Sequence, residues 1–255
     1  MLSSTLSRFQ IARVIALLLA VLAIWLRSAP LFSLVALGFT ALIGLGVKIP
    51  QLRLFGPYIC RGTEKGKKVA LTFDDGPDPR STPALLEVLR EAKVEAAFFC
   101  IGKRVAENPA LATSIVREGH LVENHSYSHS NATNVFTEPR LQAELEKTQA
   151  VIEKATGVAP KCFRPPLGLS NPRTFRVARR MGLRVVGWTT RGFDTKLTEP
   201  KLVVKRVLRK LKPNAIILLH DGNIPAERLV TTVKMLLENL KTLGYEIVRL
   251  DKILA

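Results

Sequence analysis

A repeated alternation of short β-rich runs and longer amphipathic runs constrains the fold of this chain most strongly. The candidate strands all follow residue 67 and cover residues 69–73, 96–100, 120–124, 161–164, 184–188, 215–219 and 246–250. Helical patterns separate most of them. Strands that alternate with helices form parallel sheets, either open or closed into a barrel. The sequence therefore predicts an α/β fold in which the carboxyl ends of the strands face the same side.

The helical patterns begin and end with recognisable signals. Threonine or asparagine followed by proline opens three of them, at residues 82, 108 and 171. Another pattern follows Thr137, and the last one places aliphatic residues on one face between residues 229 and 243. Capping residues and prolines at these positions are typical of helix starts, and the single apolar face is typical of a helix packed on a sheet.

Two apolar runs precede this pattern, at residues 14–26 and 31–47, with Arg27 and Pro30 between them. A full membrane span needs about 20 apolar residues, so each run is slightly short. The sequence favours a transmembrane helical hairpin at residues 1–50, a linker at 51–66 and an α/β domain at 67–255. The first run could instead be the core of a signal peptide, although the second apolar run follows it directly.

Basic residues flank both ends of the apolar pair. The net charge of the chain is +17, and the first 47 residues contribute three arginines and no acid. The positive-inside rule then predicts that both ends of the hairpin, and the domain, face the cytoplasm at a bacterial inner membrane. A single span would place the domain on the other side, so the side stays open. The basic domain fits anionic membrane lipids or a phosphate-bearing substrate, and no nucleic-acid-binding signature accompanies the charge.

Candidate metal ligands follow two of the predicted strands. Asp74 and Asp75 end the first strand before a Gly-Pro turn, and His125 and His129 follow the third strand. The histidines, four residues apart, would share one face if the segment were helical. Two histidines and one carboxylate are a common ligand set for a divalent ion. The second acid is then free to act as a base on a water molecule. A simple turn and a structural histidine pair are the alternatives for the separate motifs.

Three later strands also end in polar side chains. Arg164 follows the fourth strand on a proline-rich backbone, which predicts a cation at the rim of the sheet. Trp188 and then Asp194 follow the fifth strand, and His220 ends the sixth. Because strand ends meet at one edge, Asp194 is a candidate partner that orients His220.

The motifs TFDDGP, H-x-x-x-H, RPPLG, a Trp…Asp segment and LLHD occur in this order along the chain. In this order they resemble the motifs of polysaccharide deacetylases with a NodB-homology domain, carbohydrate esterase family four. The resemblance covers about residues 67 to 250. It implies a distorted, TIM-like (β/α)7 barrel and metal-dependent removal of an N-acyl group from an amino sugar. The implied cofactor is one divalent metal ion, Zn²⁺, with Co²⁺, Ni²⁺ or Mn²⁺ as alternatives.

The resemblance also implies a role for each matching residue. Asp74 would be the general base, held by Arg164. His220, oriented by Asp194, would be the general acid that protonates the leaving amine. The implied metal ligands are Asp75, His125 and His129. The implied substrate contacts, including a backbone N–H near Leu167 that stabilises an oxyanion, are Pro166, Leu167, Gly168, Trp188 and Leu218.

The chain departs from the family pattern at three positions. Leu167 stands where the family commonly has tyrosine, and a backbone donor would survive that change. Arg191 and Thr195 stand where an additional aspartate and a tryptophan are usual. The acid, base and metal set is intact, so these changes bear on the acyl pocket and the sugar contacts.

The leading functional prediction is a membrane-anchored N-deacetylase of a polysaccharide, peptidoglycan or lipid-linked glycan. The hairpin and the basic charge favour a polyprenyl-phosphate-linked sugar or another glycolipid, and Arg191 could contact its phosphate. The nearest alternative enzyme is a deformylase of a lipid-linked amino sugar. An alternative of a different class is a non-catalytic relative that binds glycans or lipids.

Overall fold

Two long apolar helices form the N-terminal part of the structure. The computed structural model describes residues 8–254, so residues 1–7 of the expected hairpin and residue 255 lie outside the described chain. Helix α1 is Arg8–Trp25 and helix α2 is Ala29–Lys48. Both are long and apolar enough to cross a membrane, and only 6% of each is buried. The low burial separates them from core helices of a soluble domain, and either a membrane anchor or a signal sequence fits them.

Alternating strands and helices make up the rest of the described chain. The strands are β1 Lys68–Asp74, β2 Ala97–Cys100, β3 Leu121–Asn124, β4 Cys162–Phe163, β5 Arg184–Val185, β6 Thr190–Arg191, β7 Ala215–His220 and β8 Glu246–Ile247. The helices are α3 Thr82–Glu91, α4 Gly102–Glu107, α5 Pro109–Arg117, α6 Glu138–Thr156, α7 Pro172–Arg180, α8 Pro200–Arg209 and α9 Ala226–Thr242. Short 3₁₀ turns occupy residues 50–52, 133–135, 166–168 and 250–252.

The predicted strands are all present, although several are shorter than the sequence suggests. The sequence analysis missed β6, α4 and α8. Strand β6 has two residues, too few to show a period of two. Helix α8 is rich in valine and basic residues and has no side-chain cap at its start, so its sequence carries a weak helical signal.

All strand pairs of the sheet are parallel, in the order β5-β4-β3-β2-β1-β7-β6, and β8 pairs with the start of β1. The longest register joins β1 to β7, from Val69 opposite Ala215 to Asp74 opposite His220. Parallel strands point the same way, so Asp74 and His220 end side by side at the carboxyl edge of the sheet. The predicted parallel α/β architecture is thus confirmed.

The sheet curls into a half-barrel with a small apolar interior. Ala70, Phe99 and Ile216 lie in the interior cluster, whereas Leu71 and Phe73 belong to the larger core between the sheet and its helices. Strands β5 and β6 are the two ends of the sheet, and no pairing joins them in the described chain. The sheet is therefore a curled half-barrel, where the resemblance implies a barrel of seven β/α units.

Residues 51–66, expected to be a linker, pack against the domain. Leu54, Phe55 and Tyr58 are buried within the described structure. Ile59 makes an isolated parallel bridge to Val186, beside the open end of the sheet. The ring of Phe9 from α1 packs edge-on against Phe55, with 5.3 Å between the centroids. The hairpin and domain boundaries proposed from the sequence stay predictions, and the segment between them is held by apolar contacts.

Candidate active site

The end of β1 presents two adjacent carboxylates to the carboxyl edge of the half-barrel. Asp74 is buried, and Asp75 adopts a left-handed backbone conformation with φ of 73°. Gly76 follows, and a Cβ at this position would overlap the carboxylate of Asp221. Only glycine allows the chain to turn this closely past Asp221, so the turn directs the two acids to different neighbours.

A cluster of three side chains could hold a metal ion. One ligand atom each from Asp75, His125 and His129 lie within 4.8 Å of one another. Oδ1 of Asp75 is 3.4 Å from Nε2 of His125 and 3.3 Å from Nε2 of His129. This oxygen is buried and accepts no hydrogen bond from the described residues. Two imidazole nitrogens and an orphaned carboxylate oxygen fit a divalent cation of the zinc type.

His125 is oriented for this role by a hydrogen bond on its far side. Its Nδ1 lies 2.8 Å from the backbone carbonyl oxygen of Arg164, so Nδ1–H donates and Nε2 is left as an acceptor. Burial lowers the pKa of His125, but the negative charges of Asp74 and Asp75 outweigh it and raise that pKa. The acids therefore draw positive charge towards this position, which favours a bound cation.

The two histidines lie on a loop, and the shared helical face considered from their spacing is wrong. No helix covers residues 125–132. Oε2 of Glu144, from α6, accepts the backbone N–H groups of Tyr127 and Ser128 at 3.0 and 2.8 Å. His129 has φ of 49°, and its ring centroid is 4.9 Å from that of His125. Hydrogen bonds from outside the loop bring the rings together.

The buried guanidinium of Arg164 holds Asp74. Nη1 donates to Oδ1 of Asp74 at 2.6 Å and to Oγ1 of Thr72 at 2.9 Å. Nη2 donates to the carbonyl oxygen of Gly187 at 2.9 Å, and the group lies over the ring of Phe99. Arg164 is fully buried, so the cation expected at the rim lies within the half-barrel, bonded to Asp74. It points into the half-barrel because β4 ends at Phe163 with Arg164 on the inner side. Fully bonded pairs of this kind can persist without solvent.

His220 and Asp194 form a second charged pair at the carboxyl edge of the half-barrel. Oδ2 of Asp194 accepts the backbone N–H of His220 at 2.7 Å, and Oδ1 lies 3.0 Å from Nδ1. Burial lowers the pKa of His220, but the hydrogen bond and charge of Asp194 outweigh it and raise the pKa to about 9. The imidazole is therefore protonated at neutral pH, and Nε2–H remains available to donate.

The residues expected to contact substrate fall into two groups. Leu167 is 55% exposed, and it lines a cavity of about 310 Å³ together with Trp188. Pro166, Gly168 and Leu218 are buried. Gly168 has φ of 70°, and a Cβ there would overlap the indole ring of Trp188, so its role is to let the ring approach the loop.

Arg191 and Thr195, the two residues after Trp188 that depart from the family pattern, have different environments. Arg191 lines the same cavity as Trp188, with its guanidinium 5.6 Å from the indole centroid. Thr195 is exposed beside Asp194. The side chain that replaces the usual aspartate therefore adds a positive charge to the wall of this cavity.

Several residues that support the site escaped the sequence analysis. Arg104 of α4 donates to the backbone carbonyl of Asp75 at 2.8 Å, and Glu144 holds the histidine loop. Asp221 is fully buried, accepts the hydroxyl of Thr82 at 2.6 Å, and has a pKa that burial raises to about 7. Asp221 lies within the LLHD motif, which could have drawn attention to it. Arg104 and Glu144 come from helices whose sequences carry no such signal.

Comparisons with known proteins identify the group to which this chain is related. Residues 61–186 match the family model described as polysaccharide deacetylase. The chain is 36% identical over 190 residues to a peptidoglycan-N-acetylglucosamine deacetylase of Bacillus cereus, covering 74% of this chain and 88% of that protein. It is 37% identical to a deacetylase of the same description from Listeria monocytogenes, covering 73% of this chain and 39% of that longer protein.

A solved structure matches the fold. The chain superimposes on wild-type BA3943 from Bacillus anthracis, a CE4 family pseudoenzyme, with a TM-score of 0.72 and 31% sequence identity. The match covers 78% of this chain and 69% of that one. The fold, the site and these relatives define a hydrolase of the carbohydrate N-deacetylase class. The chain belongs to the polysaccharide deacetylase family, which confirms the family expected from the motifs.

Proposed function

We propose that this protein is a membrane-anchored, metal-dependent enzyme that removes the N-acetyl group from an amino sugar of a cell-envelope glycan. The observation that carries the proposal is the Asp75, His125 and His129 cluster, which stands beside Asp74 and faces a protonated His220. A matched structure belongs to a pseudoenzyme, so catalysis is argued from these residues and not from the fold. The relatives named as peptidoglycan-N-acetylglucosamine deacetylases support N-acetylglucosamine as the sugar.

The donor atoms of the cluster favour zinc as the metal. Two imidazole nitrogens and one carboxylate oxygen are donors that Zn²⁺ prefers, and Co²⁺, Ni²⁺ and Mn²⁺ accept the same donors. A divalent ion bound there supplies Lewis-acid polarisation of the acyl carbonyl and lowers the pKa of water. Asp75, His125 and His129 would hold it.

The remaining residues divide the proton transfers between them. Oδ1 of Asp74 is bonded to Arg164, which leaves Oδ2 on the side of the histidines to accept a proton from the attacking water. The oxygen of that water forms a bond to the acyl carbon, and the π electrons of the carbonyl move onto its oxygen to give a tetrahedral oxyanion. The C=O bond then re-forms as the C–N bond breaks. Nε2–H of His220 protonates the leaving nitrogen, so the products are acetate and a free amine. The backbone N–H of Leu167 donates to the carbonyl oxygen as negative charge develops on it.

The apolar helices support a membrane anchor for this domain. The start of α1 and the end of α2 both lie near the domain, since Phe9 donates its N–H to the carbonyl of Leu54 at 3.0 Å and Lys48 lies three residues before the packed segment. A hairpin with both ends at the domain, flanked by basic residues, fits a cytoplasmic-facing enzyme at a bacterial inner membrane. The basic charge also fits attraction to anionic lipids.

The proposal is tested with the purified full chain in nanodiscs, loaded with zinc. N-acetylglucosamine oligomers and lipid-linked N-acetylated amino sugars are incubated with it, and mass spectrometry measures acetate release and the free amine. We expect turnover by the wild type and none by Asp74→Asn. Substrate binding without turnover by the zinc-loaded wild type would show a non-catalytic glycan-binding protein. Faster release of formate from N-formyl analogues would identify a deformylase.

A further inference from the structure

A cavity of about 310 Å³ connects the end of α2 to the carboxyl edge of the half-barrel. Lys48 and Gln51 line it on the side of the apolar helix, and Leu167 and Trp188 line it on the side of the site. Nε2 of Gln51 donates to the backbone carbonyl of Trp188 at 3.3 Å, which ties the two sides together. One wall of the cavity therefore continues a candidate membrane span, and the opposite wall carries expected substrate contacts.

Among the residues that the structure describes, four cations and no acid line the cavity. The cations are Lys48, Arg191, Arg206 and Lys210. Within residues 8–254, no carboxylate oxygen lies within 4.0 Å of any of these four groups. Other partly buried arginines, such as Arg104, Arg228 and Arg249, donate to a carbonyl or carboxylate oxygen. Concentrated, unneutralised positive charge in a concave site favours an anionic ligand.

Two of these cations are fixed on one aromatic ring. The guanidinium carbons of Arg191 and Arg206 lie 3.7 and 4.0 Å from the ring centroid of Phe193. Burial lowers the pKa of Arg191, and the positive charge of Arg206 lowers it further. These two like charges repel each other, and a bound anion that contacts both guanidinium groups would offset that repulsion. Guanidinium groups also offer paired N–H donors that match phosphate oxygens.

The position of Arg191 relates this cavity to the catalytic residues. Arg191 pairs with Leu218 in the register between β6 and β7, two residues before His220. Asp194 follows Phe193 directly along the chain. An anion bound by the arginines therefore lies beside the catalytic mouth, towards α2.

We propose that this cavity binds the phosphate that links an N-acetylated amino sugar to a membrane lipid, so that the substrate is a phosphate-linked glycolipid. This inference rests on the proposed function and names the substrate class of the same site. The sugar would extend past Leu167 and Trp188 to the metal cluster. The lipid would extend along α2 into the bilayer, which leaves the phosphate between them in the cationic cavity.

The test compares two substrates in neutral phosphatidylcholine nanodiscs that contain the full chain. One is N-acetylglucosamine linked through diphosphate to a polyprenol, and the other is a soluble, uncharged oligomer of N-acetylglucosamine. The readout is the selectivity, which is the ratio of kcat/KM for the two substrates. We expect Arg206→Gln to lower this ratio at least about tenfold, through KM for the lipid substrate, which corresponds to about 1.4 kcal/mol of binding free energy.

The matched control is Lys205→Gln. Lys205 is an exposed cation of the same helix, α8, and it does not line the cavity. Lys205→Gln removes one positive charge, as Arg206→Gln does, but outside the cavity. We therefore expect the selectivity to stay within about twofold of the wild type. Inorganic pyrophosphate should also inhibit the wild type competitively against the lipid substrate, and Arg206→Gln should weaken that inhibition.

The outcomes of this test distinguish the role of Arg206, the source of the phosphate and the proposed function. If Arg206→Gln lowers both kcat/KM values equally, the arginine supports the fold or the chemistry and the inference is wrong. If it affects turnover only in nanodiscs that contain phosphatidylglycerol, the cavity binds a bilayer headgroup instead of the substrate. Turnover of the oligomer with no selectivity for the lipid substrate refutes this inference alone. No turnover of either substrate refutes the proposed function itself.

Discussion

Asp194 holds His220 at two points, with Oδ2 on the backbone N–H at 2.7 Å and Oδ1 at 3.0 Å from Nδ1 of the ring. One carboxylate therefore fixes both the end of β7 and the orientation of the imidazole. The same contact keeps the pKa of His220 at about 9, well above its usual value, in spite of burial. This pair therefore sets both the direction in which Nε2–H points and the pH range over which the imidazole of His220 stays protonated.

The first prediction is that Asp194→Asn shifts the alkaline limb of the activity profile. His220 must be protonated to donate, so activity is present below its folded pKa and is lost as the pH rises through about 9. An amide removes the negative charge but keeps the shape, so the pKa of His220 should fall by more than about one unit. The kcat/KM profile from pH 6 to 10 measures this shift. An alkaline limb that stays in place in the variant would contradict the assignment of His220 as the acid.

The second prediction separates the two adjacent acids. Asp75→Asn should lose most of the bound metal, because Asp75 provides the carboxylate of the cluster. Asp74→Asn should keep the metal and lower kcat by at least about a hundredfold, because it removes the base. Elemental analysis after dialysis and turnover assays measure the two effects. A chelator should abolish the wild-type activity, and added Zn²⁺ should restore it. Equal metal loss in both variants would show that the acids share one role.

The third prediction concerns the buried pair of Arg164 and Asp74. Removing the guanidinium leaves an uncompensated buried carboxylate, so Arg164→Met should lower the free energy of unfolding by about 3 to 5 kcal/mol. The double variant with Asp74→Asn should recover part of that loss, because neither charge remains. Urea unfolding of the four proteins of this cycle measures the coupling. Additive losses would mean that the 2.6 Å contact contributes nothing beyond the separate side chains.

The fourth prediction isolates the contact between Gly168 and Trp188. Gly168→Ala combines a left-handed backbone conformation with an overlap on the indole ring, whereas Gly182→Ala has nearly the same φ and open space. The control should cost about 1 kcal/mol of stability, and Gly168→Ala should cost at least about 1 kcal/mol more. Urea unfolding measures stability, and tryptophan fluorescence reports displacement of Trp188. Equal costs would show that the indole moves aside freely.

The fifth prediction concerns the side of the membrane. If the two helices form a hairpin, a reporter fused after Ala255 should be active in the cytoplasm, because both ends of a hairpin lie on one side. Inserting one additional apolar span before residue 8 should leave the domain on the same side. The basic residues at 48–68 still favour the cytoplasmic side of the membrane. A reporter active only outside the cytoplasm would support the single-span alternative.

The motifs made much of the site predictable from the sequence. Asp74, Asp75, His125, Asp194 and His220 all end or follow strands, and parallel strands deliver their carboxyl ends to one edge. The same reasoning did not show that Arg164 is buried, and the helical face considered for the two histidines is wrong because they lie on a loop. Whether a residue after a strand points inward or outward depends on the last pleat and on the partners available inside the sheet.

Contacts between distant segments could not be read from the sequence. Arg104 and Glu144 reach the site from α4 and α6, where nothing in the local pattern distinguishes them from surface charges. Strand β6 and helix α8 are too short or too weak in propensity to be recognised, yet they position Arg191 and Arg206 on Phe193. The cationic cavity is therefore a product of packing.

The sequence by itself determined the alternation of strands and helices along the chain, the chemistry available at the strand ends and the family to which the chain belongs. It did so because short apolar periods and turn residues are local signals. Only the tertiary structure decided how the adjacent acids differ. Arg164 lies ninety residues after Asp74 along the chain and bonds it at 2.6 Å, while Asp75 turns towards His125 and His129. Such pairings depend on the curl of the half-barrel, which brings chain segments together that no local pattern connects.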